Sequence, residues 1–211
     1  MDNRSTKQKI LDAALELFST QGFEATSVSQ IADEVSIRKA SVYSHFENKQ
    51  EILDSLINEV LKQYEWHTVF SERDWAKTYL SEDNQRLNID AVIQMIVGQA
   101  KYIIHDPHIS KSRKMLTIEQ FRSPMLAQLQ TKQNYANVMN YFEGLIGFLI
   151  NQGIFADSDA KIAAAQLCLP VSVWINLCDR EPDREDEVID LIEKHVRQFF
   201  KMYMRQKRLY K

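Results

Sequence analysis

The sequence predicts an all-α protein of about nine helices, with a compact three-helix unit at the N-terminus and a longer helical region after it. Only five glycines and four prolines occur among 211 residues. That is too few for the many tight connections of a sandwich, a barrel or a doubly wound sheet. Apolar residues recur three and four positions apart through most of the chain, which is the period of amphipathic helices.

The N-terminal unit is predicted from helix start and stop signals. Ser5 with Gln8, and Ser27 with Gln30, have the spacing of capping boxes, and Gly22 is placed to end the first helix. Two short helices follow, the second over residues 39–46. Because helices of about seven residues gain little stability alone, they are expected to fold only as parts of a compact unit.

The rest of the chain is predicted to form longer helices. Residues 64–88 interrupt the apolar pattern and are interpreted as a connection. Pro107 and Pro124 mark boundaries, since proline fits the first turn of a helix and disfavours helix in the residue before it. The helices are expected over residues 89–105, 112–122, 124–153, 158–179 and 185–208.

The second short helix carries the side chains that a DNA-reading helix needs. Val42 and Phe46 are expected to face inward, which turns small and hydrogen-bonding groups outward. A helix in the major groove combines base-edge donors, small residues for close approach and phosphate contacts at its flanks. Lys49 lies at the next helix N-terminus, where backbone N–H groups favour a phosphate.

The same segment resembles the tetracycline-repressor-like (TetR) family of bacterial transcriptional regulators. The matching positions are 10–18 (ILDAALELF), 22–23 (GF), 26–28 (TSV), 31–32 (IA), 43–49 (YSHFENK) and 52–53 (IL). The resemblance is close over residues 5–60 and weaker beyond them. It implies a helix-turn-helix DNA-binding domain over residues 1–50 and a helical effector-binding and dimerisation domain over 51–211, with 51–65 as the linking helix.

The resemblance also implies a function. The chain would be a cytoplasmic homodimer that binds a palindromic double-stranded DNA operator through one recognition helix per subunit, most often a repressor released by a small-molecule effector. On the family pattern, the expected DNA-contacting residues are Thr26, Ser27, Arg38, Lys39, Ser41, Tyr43, His45 and Lys49.

Two positions depart from the family pattern. Ser36 stands in the turn where the family usually has glycine, and a left-handed backbone costs serine more than glycine. Arg38 stands where a small hydroxyl residue usually begins the recognition helix. These departures leave open a second hypothesis, a helical interaction protein that has lost DNA reading.

Charge predicts that DNA binding depends on pairing two subunits. The formal net charge of the chain is −3, and residues 1–49 hold six Lys or Arg side chains against seven acidic ones. The cations concentrate at the N-terminal arm, the turn and the recognition helix. Few phosphates are neutralised per subunit, so the affinity of one subunit is expected to be modest and sensitive to salt.

The C-terminal region supplies candidates for two further sites. Effector pockets between helices are lined by apolar and aromatic side chains with a few polar tips. The pocket candidates are Met95, Tyr102, Phe121, Met139, Tyr141, Phe142 and Trp174. The last two helices carry more apolar surface than one domain core requires, which indicates a four-helix dimer interface. The dimer candidates are Ile162, Gln166, Leu169, Val173, Leu191, His195 and Phe199.

A third hypothesis, an all-helical enzyme, has little support. The sequence contains no GxGxxG, GxxxxGK[ST], HExxH or GxSxG motif. His105 and His108 have no third ligand nearby in sequence, so neither a metal nor another cofactor is expected. The chain has no run of about 18 apolar residues, so no membrane partner is expected either.

Overall fold

The computed structural model describes residues 4–65 and 88–205. The helices are α1 (Thr6–Gln21), α2 (Val28–Glu34), α3 (Lys39–Tyr43), α4 (Lys49–Glu65), α5 (Ile89–His105), α6 (Pro107–Glu119), α7 (Pro124–Thr131), α8 (Asn137–Asn151), α9 (Ala160–Arg180) and α10 (Glu185–Tyr203). A π-helical segment, Lys132–Ala136, joins α7 to α8 without a break. Counted with α7 and α8 as one helix, the described residues hold nine helices, which confirms the predicted all-α fold.

The first unit contains the described residues up to 65 together with 106–132. Helix α1 begins at Ser5, whose Oγ accepts a hydrogen bond from the Gln8 amide, and it packs against α2, α4 and α6. Its apolar face, with Ile10 and Phe18, is fully buried. Helices α6 and α7 belong to this unit by packing, although they lie far along the chain. The functional division at residue 50 stays a prediction.

The turn between α2 and α3 is closed by a Schellman motif. The Ile37 amide donates to the Ala32 carbonyl at 2.9 Å, and the Ser36 amide donates to the Asp33 carbonyl at 3.0 Å. Ser36 has φ +57°, the left-handed conformation that this motif requires and that glycine usually supplies. Serine therefore occupies the position at a conformational cost, as the sequence predicted, and the turn still forms.

Replacing Ser36 by glycine is expected to stabilise the protein. The left-handed backbone costs a residue with a Cβ about 1–2 kcal/mol, and glycine avoids this cost. Part of the gain is lost, because glycine also gives the unfolded chain more conformational freedom. We therefore expect Ser36→Gly to raise the free energy of unfolding by about 0.5–1 kcal/mol in urea denaturation. Ser36→Val is expected to lower it, and equal stability of the two variants would contradict this reasoning.

The second unit contains the described residues 88–105 and 133–205. Helix α9 packs against α5, α8 and α10, and Phe155 is buried with Phe199 and Phe200 in the core. Pro170 lies within α9 and lacks the N–H that would bond the Gln166 carbonyl. The ring of His195 on α10 covers this part of α9, with Nε2 3.0 Å from the Leu167 carbonyl oxygen.

Three predicted helix boundaries differ from the structure. Helix α6 begins at Pro107 rather than at 112, because the Asp106 carboxylate caps it by accepting from the His108 and Ile109 amides. Helix α3 ends at Tyr43, and the chain reaches Phe46 through a turn instead of a longer helix. Helix α10 ends at Tyr203, and residues 206–208 of the predicted helix lie outside the described residues.

Helix α9 is also the one described helix that is long and apolar enough to cross a membrane by length and composition alone. Core helices of folded domains have the same composition. Ala163, Leu167 and Ile175 of this helix are buried in the core of the second unit, and that burial accounts for its apolar character.

Candidate nucleic-acid interface

Helix α3 presents a polar surface over an apolar base. Val42 and Phe46 are buried in the core of the first unit, as predicted. Arg38, Lys39 and His45 are exposed, and the Tyr43 side chain is 48% exposed. Ser41 is half-buried, and Ser44 directs its hydroxyl back to the Ser41 carbonyl at 2.7 Å. Cationic and hydrogen-bonding groups therefore share one exposed face with small residues.

A further cation approaches this face from α1. The Lys7 ammonium lies 5.0 Å from the centre of the Phe46 ring, so it is held near the end of the α3 segment by a cation–π contact. The net charge of the N-terminal segment is slightly negative, but Lys7, Arg38 and Lys39 are placed where a polyanion could reach them. Asp33, Glu34 and Glu47 are exposed as well, so the segregation of cations toward α3 stays a prediction.

The two residues expected at the start of α2 have different environments. Ser27 is exposed and forms a complete capping box, with its Oγ accepting from the Gln30 amide and its own amide donating to Gln30 Oε1. Thr26 is only 1% exposed, and its hydroxyl donates to the Gly22 carbonyl at 2.8 Å. The expectation that the Thr26 side chain contacts DNA is therefore corrected, because its hydroxyl fixes the turn from inside the unit.

Lys49 is also turned inward. Its ammonium donates to the carbonyls of Phe23 and Thr26 at 2.6 and 2.8 Å, and it lies 4.1 Å from the centre of the Phe23 ring. A direct phosphate contact by this ammonium, as the sequence predicted, would compete with three contacts inside the unit. In this structure Lys49 instead joins the start of α4 to the loop before α2, and it orients the helix-turn-helix.

Replacing Lys49 by methionine is expected to lower stability. Methionine keeps an apolar stem near Phe23 but cannot donate to the two carbonyls, and hydrogen bonds from charged donors contribute about 1.5–3 kcal/mol. We expect the free energy of unfolding to fall by about 2 kcal/mol in chemical denaturation. Lys39→Met, at an exposed lysine, is the matched control and should change it little. Equal effects of the two substitutions would contradict the inward role of Lys49.

Sequence reasoning missed Glu119 and the part that Gly22 plays beside it. Glu119 lies at the end of α6 and is buried, and its Oε1 accepts a hydrogen bond from the Phe23 amide at 2.8 Å. The partners are 96 residues apart, so no local spacing could reveal the contact. The one available signal was an acidic residue at an apolar register of α6, beside Met115 and Leu116, which are both buried.

The effector-pocket candidates divide between the two units. Met139 is buried in the core of the second unit, and Met95, Tyr141, Phe142 and Trp174 are partly buried against the same core. Tyr102 is exposed. Phe121 lies in the first unit and its side chain is 89% exposed. The expectation that Phe121 lines a pocket is therefore corrected, since its ring extends into solvent from the turn after α6.

The dimer-interface candidates also differ from one another in how exposed they are. Ile162, Gln166 and Val173 are exposed on α9, while Leu169, Leu191 and His195 are partly buried. Phe199 is buried, and its ring stacks on Tyr203 with the ring centres 4.5 Å apart. Phe199 is therefore part of the core of the second unit and is not available to a second subunit, which corrects the prediction for this residue.

The two histidines considered as a metal pair contact different carboxylates. His105 Nε2 lies 2.8 Å from Glu185 in the second unit, and His108 Nε2 lies 3.6 Å from Glu59 in the first. Across residues 4–65 and 88–205, no group of three or more His, Cys, Asp or Glu side chains is arranged to hold a metal ion.

Comparison with known proteins identifies the segment that carries this surface. Residues 10–56 match the family described as bacterial regulatory proteins, tetR family. IcaR of Staphylococcus epidermidis, named a biofilm operon icaADBC HTH-type negative transcriptional regulator, is 48% identical over 46 residues, which cover 22% of this chain and 25% of IcaR. This match thus spans about a quarter of that relative. SrpR of Pseudomonas putida, an HTH-type transcriptional regulator, is 27% identical over 85% of this chain and 87% of its own.

Solved structures share the whole fold. SmeT, the repressor of the Stenotrophomonas maltophilia multidrug efflux pump SmeDEF, superimposes with a TM-score of 0.61 at 21% identity, covering 98% of this chain and 94% of SmeT. SmeT has also been solved as a complex with triclosan, which matches with a TM-score of 0.59. At such identities the likeness shows the fold alone. The family match covers residues 10–56, so this segment is the part of the chain that is similar to bacterial regulatory proteins of the tetR family.

Proposed function

We propose that this chain is a homodimeric transcriptional repressor that binds a palindromic operator through one α3 per subunit and releases it when a small molecule binds. The observation that carries the proposal is the exposed face of Arg38, Lys39, Tyr43 and His45 above the buried Val42 and Phe46. That face combines possible base-edge donors with phosphate-binding groups on one short helix. Repression is supported by the named roles of IcaR and SmeT, which are a negative regulator and a repressor.

The completed α2–α3 turn favours DNA reading over the alternative of an interaction protein that has lost it. Ser36 adopts the left-handed conformation and both hydrogen bonds of the Schellman motif are made. The departure from glycine has therefore not opened the turn. Arg38 is exposed at the start of α3, where its guanidinium adds a donor to the face instead of blocking it.

The direct test of DNA binding is a fluorescence-anisotropy titration. The probe is a labelled duplex taken from upstream of the chain's own gene, and the control is a shuffled duplex of equal length. The proposal predicts a lower Kd for the upstream duplex than for the shuffled one at physiological salt. Equal affinity for both duplexes at low and at physiological salt would contradict operator binding.

Dimerisation is supported by apolar side chains that the second unit leaves uncovered. Ile162 and Val173 lie 11 positions apart on α9, which is close to three helical turns, so they share one face. Met202 on α10 is exposed as well. An apolar face on the last two helices is the surface that a two-fold interface would cover with its own copy.

The effector would bind within the second unit, where partly buried aromatic side chains from α8 and α9 meet the core. Tyr141 and Phe142 pack edge to face with ring centres 5.1 Å apart, and Trp174 packs edge to face against His195. Such a lining suits a small, largely apolar ligand with one polar group. The triclosan complex of SmeT shows a ligand of this kind on the same fold.

A screen of apolar small molecules can test the effector hypothesis. Ligands that raise the Tm of the protein are identified first, and each is then added to the complex with the upstream duplex. The proposal predicts that at least one stabilising ligand weakens DNA binding, with a coupling of about 1–3 kcal/mol. Stabilising ligands that all leave DNA binding unchanged would contradict it.

The cytoplasm is the proposed compartment. Cys168 and Cys178 are both free and buried in α9, and burial raises the pKa of the Cys168 thiol to about 11. A buried thiol of this kind is unreactive toward oxidation. Free thiols agree with a reducing compartment, which is also where operator DNA is found.

A further inference from the structure

Glu119 is a buried carboxylate that the DNA-reading surface does not use directly. It is the last residue of α6 and is only 3% exposed. Its Oε1 accepts a hydrogen bond from the Phe23 amide at 2.8 Å. Phe23 lies in the turn between α1 and α2, so the end of α6 is bonded to the loop from which the helix-turn-helix begins.

The backbone at Gly22 is shaped for this contact. Gly22 has φ +83°, and a Cβ at this position would lie 3.0 Å from Glu119 Oε1 and 3.2 Å from Ile118 Cγ2. A Cβ here would displace the Glu119 carboxylate or the Ile118 methyl group by a few tenths of an ångström, and the positive φ would strain any residue other than glycine. Glycine at residue 22 therefore leaves room for the Glu119 carboxylate beside the Phe23 amide.

A cation lies on the opposite side of the same residue. The Phe23 carbonyl accepts from the Lys49 ammonium, which also bonds the Thr26 carbonyl, one residue before the Ser27 cap of α2. Phe23 is therefore bonded to a carboxylate through its N–H and to an ammonium through its C=O. Charge-assisted hydrogen bonds are stronger than neutral ones, so charged partners hold both peptide groups that flank the Phe23 Cα.

Other contacts of Glu119 are weaker. Arg122 Nη1 lies 3.9 Å from Oε1, and its side chain is largely exposed. A second link between α1 and α6, from Lys111 to Glu16, is an exposed ion pair of the kind that adds little stability. The hydrogen bond to the Phe23 amide is a buried polar contact that joins the end of α6 to the turn.

We propose that Glu119 is a positioning residue for DNA reading, which fixes the α1–α2 turn to the end of α6 and so sets the orientation of α2 and α3. A displacement of α6 would move the turn, the Ser27 cap and the helix-turn-helix behind it. Regulation can then enter at the beginning of the helix-turn-helix, in addition to any movement of α4. This inference rests on the proposed operator binding.

The test compares Glu119→Ala and Glu119→Gln with Glu16→Ala, which removes the exposed ion pair between α1 and α6. Three quantities are measured on the full-length chain: Tm, the Kd for the upstream and shuffled duplexes, and the hydrogen-exchange rate of the Phe23 amide. Glu119→Ala is expected to accelerate exchange at Phe23 and to weaken binding to the upstream duplex about tenfold or more, because the turn would hold the binding-competent position for only a small fraction of the time. Glu119→Gln keeps an acceptor and should recover most of this loss, while Glu16→Ala should stay within about twofold.

The ratio of specific to non-specific binding separates positioning from a merely structural role. General destabilisation would lower both affinities together and would not be rescued selectively by glutamine. Unchanged binding of Glu119→Ala, or an equal loss on both duplexes, would overturn the proposal. If Glu119→Ala does not fold, Glu119→Asp decides, because its carboxylate is one methylene too short to hold the Phe23 amide: faster Phe23 exchange with a loss of specific binding supports the proposal, and no change in either overturns it. An unmodified chain that binds no duplex specifically would instead refute the proposed function, whereas the exchange rates would still report whether Glu119 holds the turn.

Discussion

Replacing Lys39 and Tyr43 together by alanine is expected to weaken binding to the operator duplex at least a hundredfold and to leave stability unchanged. Both side chains are exposed on α3 and neither belongs to the buried core of the first unit. Each contact to a base edge or phosphate contributes about 1–3 kcal/mol, and a dimer would lose two contacts from each subunit. Fluorescence anisotropy with the upstream and shuffled duplexes measures the effect, and Tm verifies the fold.

The matched control for this experiment is Lys101→Ala with Tyr135→Ala. These residues are also exposed, on α5 and on the π-helical segment, and the double substitution removes the same groups from the second unit. It should change the Kd for the upstream duplex by less than about threefold, as expected for surface substitutions away from an interface. If both double variants bind the upstream duplex equally well, α3 is not the reading helix, and the hypothesis of an interaction protein regains support.

Val173→Glu is expected to convert the proposed homodimer into a monomer. The Val173 side chain is 62% exposed in the single chain, so the substitution should not disturb the fold of the subunit. In a two-fold interface the glutamate would be buried beside the same glutamate of the second subunit or beside an apolar residue. An unpaired buried charge costs several kcal/mol. Sedimentation velocity should show half the mass of the unmodified protein, and operator affinity should fall at least a hundredfold because the two reading helices are no longer linked.

Met125→Glu is the control for the dimer experiment. Met125 is an exposed apolar residue of the first unit, outside the α9 and α10 surface. This variant should remain a dimer. Dissociation by both substitutions would indicate a general loss of stability, and a Val173→Glu variant that stays dimeric would place the interface elsewhere.

Most of the fold was predictable because its determinants are local. The capping boxes begun by Ser5 and Ser27 depend on residues three positions apart, and the structure contains both caps. The left-handed turn at Ser36 was predictable because the turn requires positive φ whatever residue occupies it. The predicted start of α6 was too late in the sequence, because Asp106 and Pro107 were interpreted only as the end of α5. In the structure Asp106 caps α6 and Pro107 is its first residue.

The side chains of the candidate site were less predictable, because their environments depend on distant segments. Lys49 was assigned to phosphate on its helix position, but its ammonium binds carbonyls 26 and 23 residues earlier. Phe121 and Phe199 are both large apolar residues, and sequence alone could not tell that one is exposed and the other buried. Glu119 showed no local pattern, since its partner is 96 residues away.

Selection of duplexes from a random-sequence library by the unmodified protein is the most direct test of the central claim, that two copies of α3 read one two-fold operator. The selected sequences should contain an inverted repeat with half-site centres about one helical turn, ~34–36 Å, or a multiple of it apart. The same substitutions at Lys39 and Tyr43 should abolish the enrichment. Enrichment of no sequence, or of a single half-site without its inverted copy, would contradict the account.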